Sequence, residues 1–253
     1  MTALLIDVGN TRLKWGVLDN GAIRRTGHIS QEAIRKQGLS ALTSKLPRDV
    51  DAVLASNVAG SSFATRLSGV VGMHCNCDVH FVRSEKSACG VTNSYRQPRR
   101  LGVDRWVAMI GAWRELEAAC IIVDAGTAVT IDVLDDAGQH LGGQILPGAA
   151  LMAAALSSST SDIANVEPRA GAQASGMRMF ATSTSRAVEQ GAINAVVGAV
   201  ERAAWTLDEN GHEVTIVLTG GDASRILKSL DEEALHRPHL VLQGLARILE
   251  NRQ

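Results

Sequence analysis

Two stretches of this chain follow one plan, and the recurrence constrains the fold more than any other feature. Leu4-Leu5-Ile6-Asp7-Val8-Gly9-Asn10-Thr11-Arg12-Leu13-Lys14-Trp15-Gly16 is an apolar run that ends in an acid, turns through Gly9 and two small polar residues, and becomes apolar again at Leu13. Cys120-Ile121-Ile122-Val123-Asp124-Ala125-Gly126-Thr127-Ala128-Val129-Thr130-Ile131-Asp132 does the same, with Asp124 lying 117 residues after Asp7. Each reads as strand, tight turn, strand. The match continues through Leu18-Asp19-Asn20-Gly21 against Asp135-Asp136-Ala137-Gly138. A chain of 253 residues, 45% of them apolar, is long enough for two cores. The expected organisation is therefore a duplicated α/β chain with one domain at 1–117 and a second at 118–253.

An acid at the mouth of a buried strand, next to a glycine, has a chemical use. Without a side chain at Gly9, backbone N–H groups can approach an anion, and Asp7 is suited to hold magnesium or a water beside a phosphate. The same pattern also serves purely structural hairpins. Val214-Thr215-Ile216-Val217-Leu218-Thr219-Gly220-Gly221-Asp222 offers a second platform, a buried strand ending in a glycine pair before a helix from Ala223. Ser56-Asn57-Val58, at the end of a strand from Val50, marks another site edge.

Between these landmarks the pattern predicts a third strand over Ala22 to Ile29, after an Asn20-Gly21 turn. A two-part helix interrupted at Gly38 follows over Gln31 to Leu46, then a helix over Ser61 to Val71 and a strand over Val79 to Val82. Val91 to Arg105 is an irregular loop with the only tyrosine, Tyr95, and it feeds a helix whose apolar face runs from Trp106 to Leu116. Asp104 falls in that helix's first turn, where the macrodipole favours a negative charge; such an acid can also be no more than a cap. Strands to about Val133 and over Leu141 to Leu146, and a helix over Ala149 to Leu156, continue the second half. Ser157 to Gly176 reads as a mobile loop or insertion. A helix over Arg186 to Glu209 carries Val188, Ala192, Ala195, Val196, Ala199 and Val200 on a small-residue face. His239 to Leu242 reads as a last strand, and Leu245 to Leu249 as a helical end.

Composition removes several partner classes. A formal net charge of −1 provides no field to attract nucleic acid or an anionic membrane, and the only basic cluster is Arg96 to Arg105. No apolar stretch is long enough to span a bilayer, and no basic leader precedes the first strand, so a cytoplasmic protein is expected. Cys75, Cys77, Cys89 and Cys120 have neither disulfide-framework nor zinc-ribbon spacing and are expected as reduced thiols.

Taken in order, Asp7-Val8-Gly9-Asn10-Thr11, Asp124-Ala125-Gly126-Thr127-Ala128 and Thr219-Gly220-Gly221 resemble the superfamily of acetate and sugar kinases, Hsp70 and actin. Tyr95 followed by Pro98, Leu101-Gly102-Val103-Asp104-Arg105, and Gly143-Gln144-Ile145-Leu146-Pro147-Gly148 resemble the type III pantothenate kinases within it. The resemblance covers nearly the whole chain. It implies two ribonuclease H-like, actin-like ATPase domains with a nucleotide cleft between them. The implied reaction is transfer of the ATP γ-phosphoryl group to the 4′-hydroxyl of pantothenate, the first step toward coenzyme A.

The resemblance also implies roles for single residues. Asp7, Val8, Gly9, Asn10, Thr11, Arg12, Leu13 and Lys14 match the first phosphate loop, and Thr127 a second nucleotide contact. Tyr95, Gly102, Val103, Asp104 and Arg105 match the pantothenate-binding set, joined by Thr184 from a Thr-x-x-Ala-x-x-x-Gly segment ending at Gly191. Asp104 matches the general base, and Asp124 the residue that holds a monovalent cation, potassium or ammonium. ATP with magnesium is the implied cofactor, and a homodimer the implied assembly. Other readings stay open: a small sugar kinase or a polyphosphate-directed phosphatase of the same superfamily, or a non-catalytic transcriptional accessory protein of the same fold. Intact Asp7, Asp104 and Asp124 and the lack of a basic DNA-binding element stand against the last.

Overall fold

The computed structural model describes residues 1–159 and 179–252, which form two compact units. The first comprises Met1–Glu117 with Ala137–His140 and His239–Gln253; the second comprises Ala118–Asp136 and Leu141–Pro238.

In the first unit, β1 (Thr2–Val8), β2 (Arg12–Asp19) and β3 (Ala22–Ser30) form an antiparallel meander. β4 (Ala52–Asn57) and β5 (Val79–Phe81) then add in parallel on the other side of β1, giving the order β3-β2-β1-β4-β5. Strand alternation sends Leu4, Ile6, Val8, Leu13, Trp15 and Val17 into one core. That core is closed by α1 (Gln31–Gln37), α2 (Ser40–Thr43) and α3 (Ser61–Cys75). The predicted two-part helix is thus present, broken at Gly38, whose φ of 78° a helix interior does not use.

Asp7, Lys14 and Ser56 take the opposite parity and lie on the other face of the sheet. A short ladder, β6 (Ser87–Ala88) with β7 (Val91–Thr92), and a 3₁₀ turn at Pro98–Arg100 lead into α4 (Val103–Leu116), which touches β4. The final helix of the chain covers the same face: Leu242 lies against the Gly16 position, and the helix crosses α4 at Gly111 and Gly244. A side-chain carbon at Gly244 would overlap the Val107 carbonyl, so the two backbones meet without intervening side chains.

The second unit repeats the strand order. β8 (Cys120–Ala125), β9 (Ala128–Leu134), β10 (His140–Pro147), β11 (Thr215–Thr219) and β12 (Ala234–His236) are arranged β10-β9-β8-β11-β12. α5 (Ala149–Ser159), α6 (Thr184–Glu209) and α7 (Ala223–Leu227) pack on it. Ser157–Ser159 close α5; the rest of the expected 157–176 loop lies outside the described residues.

Two expectations are corrected. His239–Leu242 is not a strand: α8 spans Leu240–Glu250, and the parallel edge strand is Ala234–His236. A four-residue apolar run does not separate a strand from a buried helix, and here Leu240, Val241, Leu242, Gly244, Leu245 and Ala246 are all buried. The buried face of α6 is also rotated from the expected one. Ala192, Ile193, Val196, Val197, Val200 and Ala204 point inward, while Ala195 is exposed.

Candidate active site

In the first unit the acid at the end of β1 is flanked by residues of both neighbouring strands. Asp7 is 8% exposed, and its Oδ1 accepts a 2.6 Å hydrogen bond from the Ser56 hydroxyl on β4. The β1–β2 register sets Lys14 directly opposite it. After Asp7 the chain turns through Gly9, whose N–H donates to the Arg12 carbonyl at 3.0 Å. Asn10, Thr11 and Arg12 are exposed, whereas Val8 and Leu13 are buried in the core and act on the turn only through the backbone. Gln31, 7% exposed at the start of α1, fixes this turn twice: its amide N donates to Thr11 O at 2.8 Å, and its Nε2 to Gly9 O at 2.9 Å. His239, just ahead of α8, is held below the usual imidazole range by burial and then by the positive charge of Lys14.

Tyr95, Gly102, Val103, Asp104 and Arg105 are built around α4 in the same unit. Asn93 is fully buried and orders the loop: its Nδ2 donates to Glu85 O at 3.1 Å and Pro98 O at 3.2 Å, and its Oδ1 accepts from Tyr95 N at 3.0 Å. Arg105, 7% exposed, donates from Nη1 to the Tyr95 hydroxyl at 3.1 Å. Its guanidinium carbon lies over the ring, 6.0 Å from the centre, so the shorter hydrogen bond to the hydroxyl is joined by a long cation–π contact. Asp104 sits at the second residue of α4, with Oδ1 accepting from Arg105 N at 2.8 Å. Gly102 lies tight beside it: a side-chain carbon there would stand 2.7 Å from that oxygen and push the carboxylate aside. Asp104 and Asp7 thus belong to elements on one face of one sheet.

The second unit presents Asp124 near the end of β8, with Thr130 and Thr219 as its cross-strand partners. Thr219 is 1% exposed. Gly126 N donates to Ala128 O at 3.1 Å across the turn, leaving Thr127 exposed. Gly148 N donates to Thr127 O at 2.8 Å, and its bare α-carbon rests against the Gly126 and Thr127 carbonyls. Gly220, at φ +95°, lies against the Ala125 backbone, and Asp222 N donates to Ala125 O at 3.0 Å. Arg225 pairs with Glu189 and sits 3.6 Å from Asp222, tying α7 to α6. Thr184 is exposed at the start of α6.

Ser56 stood in the sequence as a site edge, but its bond to Asp7 is a cross-strand contact that only the register reveals. Gln31, Asn93 and the buried His140 gave no sequence signal; each acts through contacts distant in the chain.

Sheet order and paired acid-glycine turns define the class first: this is the fold of sugar kinases and actin-like ATPases. A candidate 2-dehydro-3-deoxygalactonokinase from Sinorhizobium meliloti shares it at a TM-score of 0.64 and 12% identity, over 98% of this chain and 96% of that one. The sequence profile of type III pantothenate kinases matches residues 3–205. The type III pantothenate kinase of Nitrosococcus oceani is 35% identical, over 98% of this chain and 94% of that protein. The one from Methylobacillus flagellatus is 37% identical, over 96% and 95%. The chain belongs to the type III pantothenate kinase family.

Proposed function

We propose that this protein transfers the γ-phosphoryl group of ATP to the 4′-hydroxyl of pantothenate, giving 4′-phosphopantothenate at the first step of coenzyme A synthesis. The observation that carries the reading is the family match, joined to the Tyr95–Arg105–Asp104 cluster at the head of α4. Asp7 to Lys14 and Thr127 contact the ATP phosphates in this reading. Tyr95, Gly102, Val103, Asp104, Arg105 and Thr184 hold pantothenate. The finer architecture belongs to the same proposal: two duplicated ribonuclease H-like domains, divided in sequence at 117/118, with nucleotide bound between them.

Arg105 is always charged and already buried, so it meets the pantothenate carboxylate at little reorganisation cost. Asp104 orients the 4′-hydroxyl and accepts its proton late. A loose phosphoryl-transfer transition state does not require an alkoxide beforehand, so an ionised carboxylate suffices. Lys14 offsets phosphate charge beside Asp7.

The donor set at Asp7 suits magnesium, a hard cation that keeps several waters: one buried carboxylate, with an oxygen already oriented by Ser56. At Asp124 the carboxylate lies close to Gly126, and Thr219 is its partner on the neighbouring strand; carboxylate and hydroxyl oxygens are the donor type that potassium or ammonium takes. Bound there, the two cations would supply charge neutralisation of the phosphates. We further propose a cytoplasmic homodimer. Sedimentation at falling protein concentration tests it, and dissociation to a fully active monomer would contradict it.

The test of the acceptor is ADP formation from ATP and magnesium across a panel of alcohols, with pantothenate and small sugars side by side. The expected result is turnover with pantothenate and none with sugars. Equal turnover on a sugar would transfer the protein to the sugar-kinase reading, and failure to use any acceptor would favour the accessory-protein reading.

A further inference from the structure

His140 is 1% exposed, and no role has been derived for it above. Its ring lies 6.0 Å from that of Tyr95, with the planes 17° apart, and its Nδ1 is 3.2 Å from the Ser94 hydroxyl. The backbone that delivers it is fixed within the first unit. Thr92 N donates to Gly138 O at 2.9 Å, and Gln139 Nε2 donates to Thr92 O at 3.2 Å. Gly138, at φ +73°, presses on Gly90 O where a side-chain carbon has no room.

Two other residues constrain Tyr95, and Arg105 also lies over its ring at 6.0 Å. Asn93 holds the backbone N, and Arg105 holds the hydroxyl. Rotation of the ring about the axis joining those ends breaks neither hydrogen bond, and that torsion is intrinsically broad. A stacked ring on one face is what opposes such rotation.

We infer that His140 is a positioning residue for the acceptor: it fixes the plane of the Tyr95 ring, and through it the surface on which pantothenate lies. The inference rests on the reading of Tyr95 as a pantothenate contact. The Ser94 hydroxyl, 3.2 Å from Nδ1, helps to set the rotation of the imidazole, so Ser94 and His140 act on Tyr95 and Tyr95 on the substrate.

Steady-state kinetics on the full chain test this. His140→Ala raises the pantothenate KM by about three- to tenfold, the range expected for one stacked ring pair, and leaves the ATP KM within about twofold. His140→Phe restores a ring and returns the pantothenate KM toward wild type, whereas His140→Gln behaves as the alanine variant. Should His140→Ala not fold, the Phe and Gln variants decide between them. The double variant Tyr95→Ala/His140→Ala is no weaker toward pantothenate than Tyr95→Ala alone. Penalties that add in the double variant, or a KM rise equal for both substrates, would overturn the inference. If Tyr95→Ala raises the pantothenate KM and His140→Ala does not, His140 loses its role while the substrate reading stands. If Tyr95→Ala leaves that KM unchanged, the Tyr95 contact fails and the inference fails with it.

Discussion

The two acid-glycine turns share a plan but are not equivalent. In the first unit four residues, Gly9 to Arg12, separate the paired Val8 and Leu13; in the second only three, Gly126 to Ala128, separate Ala125 and Val129. Both turns receive the same support from the residue that follows the third strand: Gln31 N donates to Thr11 O, and Gly148 N to Thr127 O, each at 2.8 Å. The supports differ in kind, since Gln31 adds a side-chain bond to Gly9 O while Gly148 adds only its lack of a side chain. The residue facing each acid differs too, Lys14 against Asp7 and Thr130 against Asp124. The longer turn, with its cation, is suited to grip phosphates. The tighter one sets the neutral Thr130 opposite its acid, and in the proposed reading Asp124 takes the monovalent cation. One scaffold thus gives two different turns through one residue of loop length and one cross-strand exchange, and the proposed reading assigns them two chemistries.

The largest effect that could break this comparison comes from the acids themselves. Asp7→Asn lowers kcat by about a hundredfold or more whichever monovalent cation is present, as expected for a lost electrostatic contact in the transition state. Asp124→Asn makes turnover indifferent to potassium. Equal loss and equal cation response in both variants, measured by ADP release in potassium and sodium buffers, would remove the distinction between the turns.

Asp104→Asn reads the chemistry outside both turns. It loses about a hundredfold or more in kcat while pantothenate still binds by calorimetry. Near-normal turnover would take Asp104 out of the role of base.

The two supports come next. Gly148→Ala forces a side-chain carbon into two carbonyl oxygens and destabilises the protein by about 2 kcal/mol, as overpacking does. Gln31→Ala removes one hydrogen bond to Gly9 O and costs about 1 kcal/mol. Urea denaturation ranks them, and a larger loss for Gln31→Ala would invert the account of the turns.

The smallest effect lies at the base of the strands, where Ala3 and Cys120 hold corresponding places, both fully buried. Burial pushes the Cys120 thiol up to about 12 from 9.0. The folded protein therefore keeps a proton that the unfolded chain releases, and stability falls as pH rises from about 9 toward about 12. Cys120→Ala, which copies the first unit, flattens that part of the pH–stability curve; an unchanged slope would place its origin elsewhere.

The turns, the first strands and the helix carrying Asp104 were legible in the sequence because Asp, Gly and Asn punctuate apolar runs at the places where the backbone must turn. The supports were not. The bond from Gln31 to Gly9 spans 22 residues, that from Ser56 to Asp7 spans 49, and that from Ser94 to His140 spans 46; each depends on strand register or loop course rather than local pattern. The α8 segment misled for a different reason. Its Leu240-Val241-Leu242 run is buried all round because Gly111 and Gly244 let two helices meet closely, and continuous burial erases the period that distinguishes helix from strand. Rotation of the α6 face has the same root, since alanine and valine at neighbouring positions define a stripe only loosely.

The measurement that bears most directly on the central claim is ATP turnover by the purified protein with and without pantothenate, in potassium and again in sodium. The account predicts ADP release that requires pantothenate and is strong only in potassium. Turnover indifferent to pantothenate, or none under any condition, would contradict it.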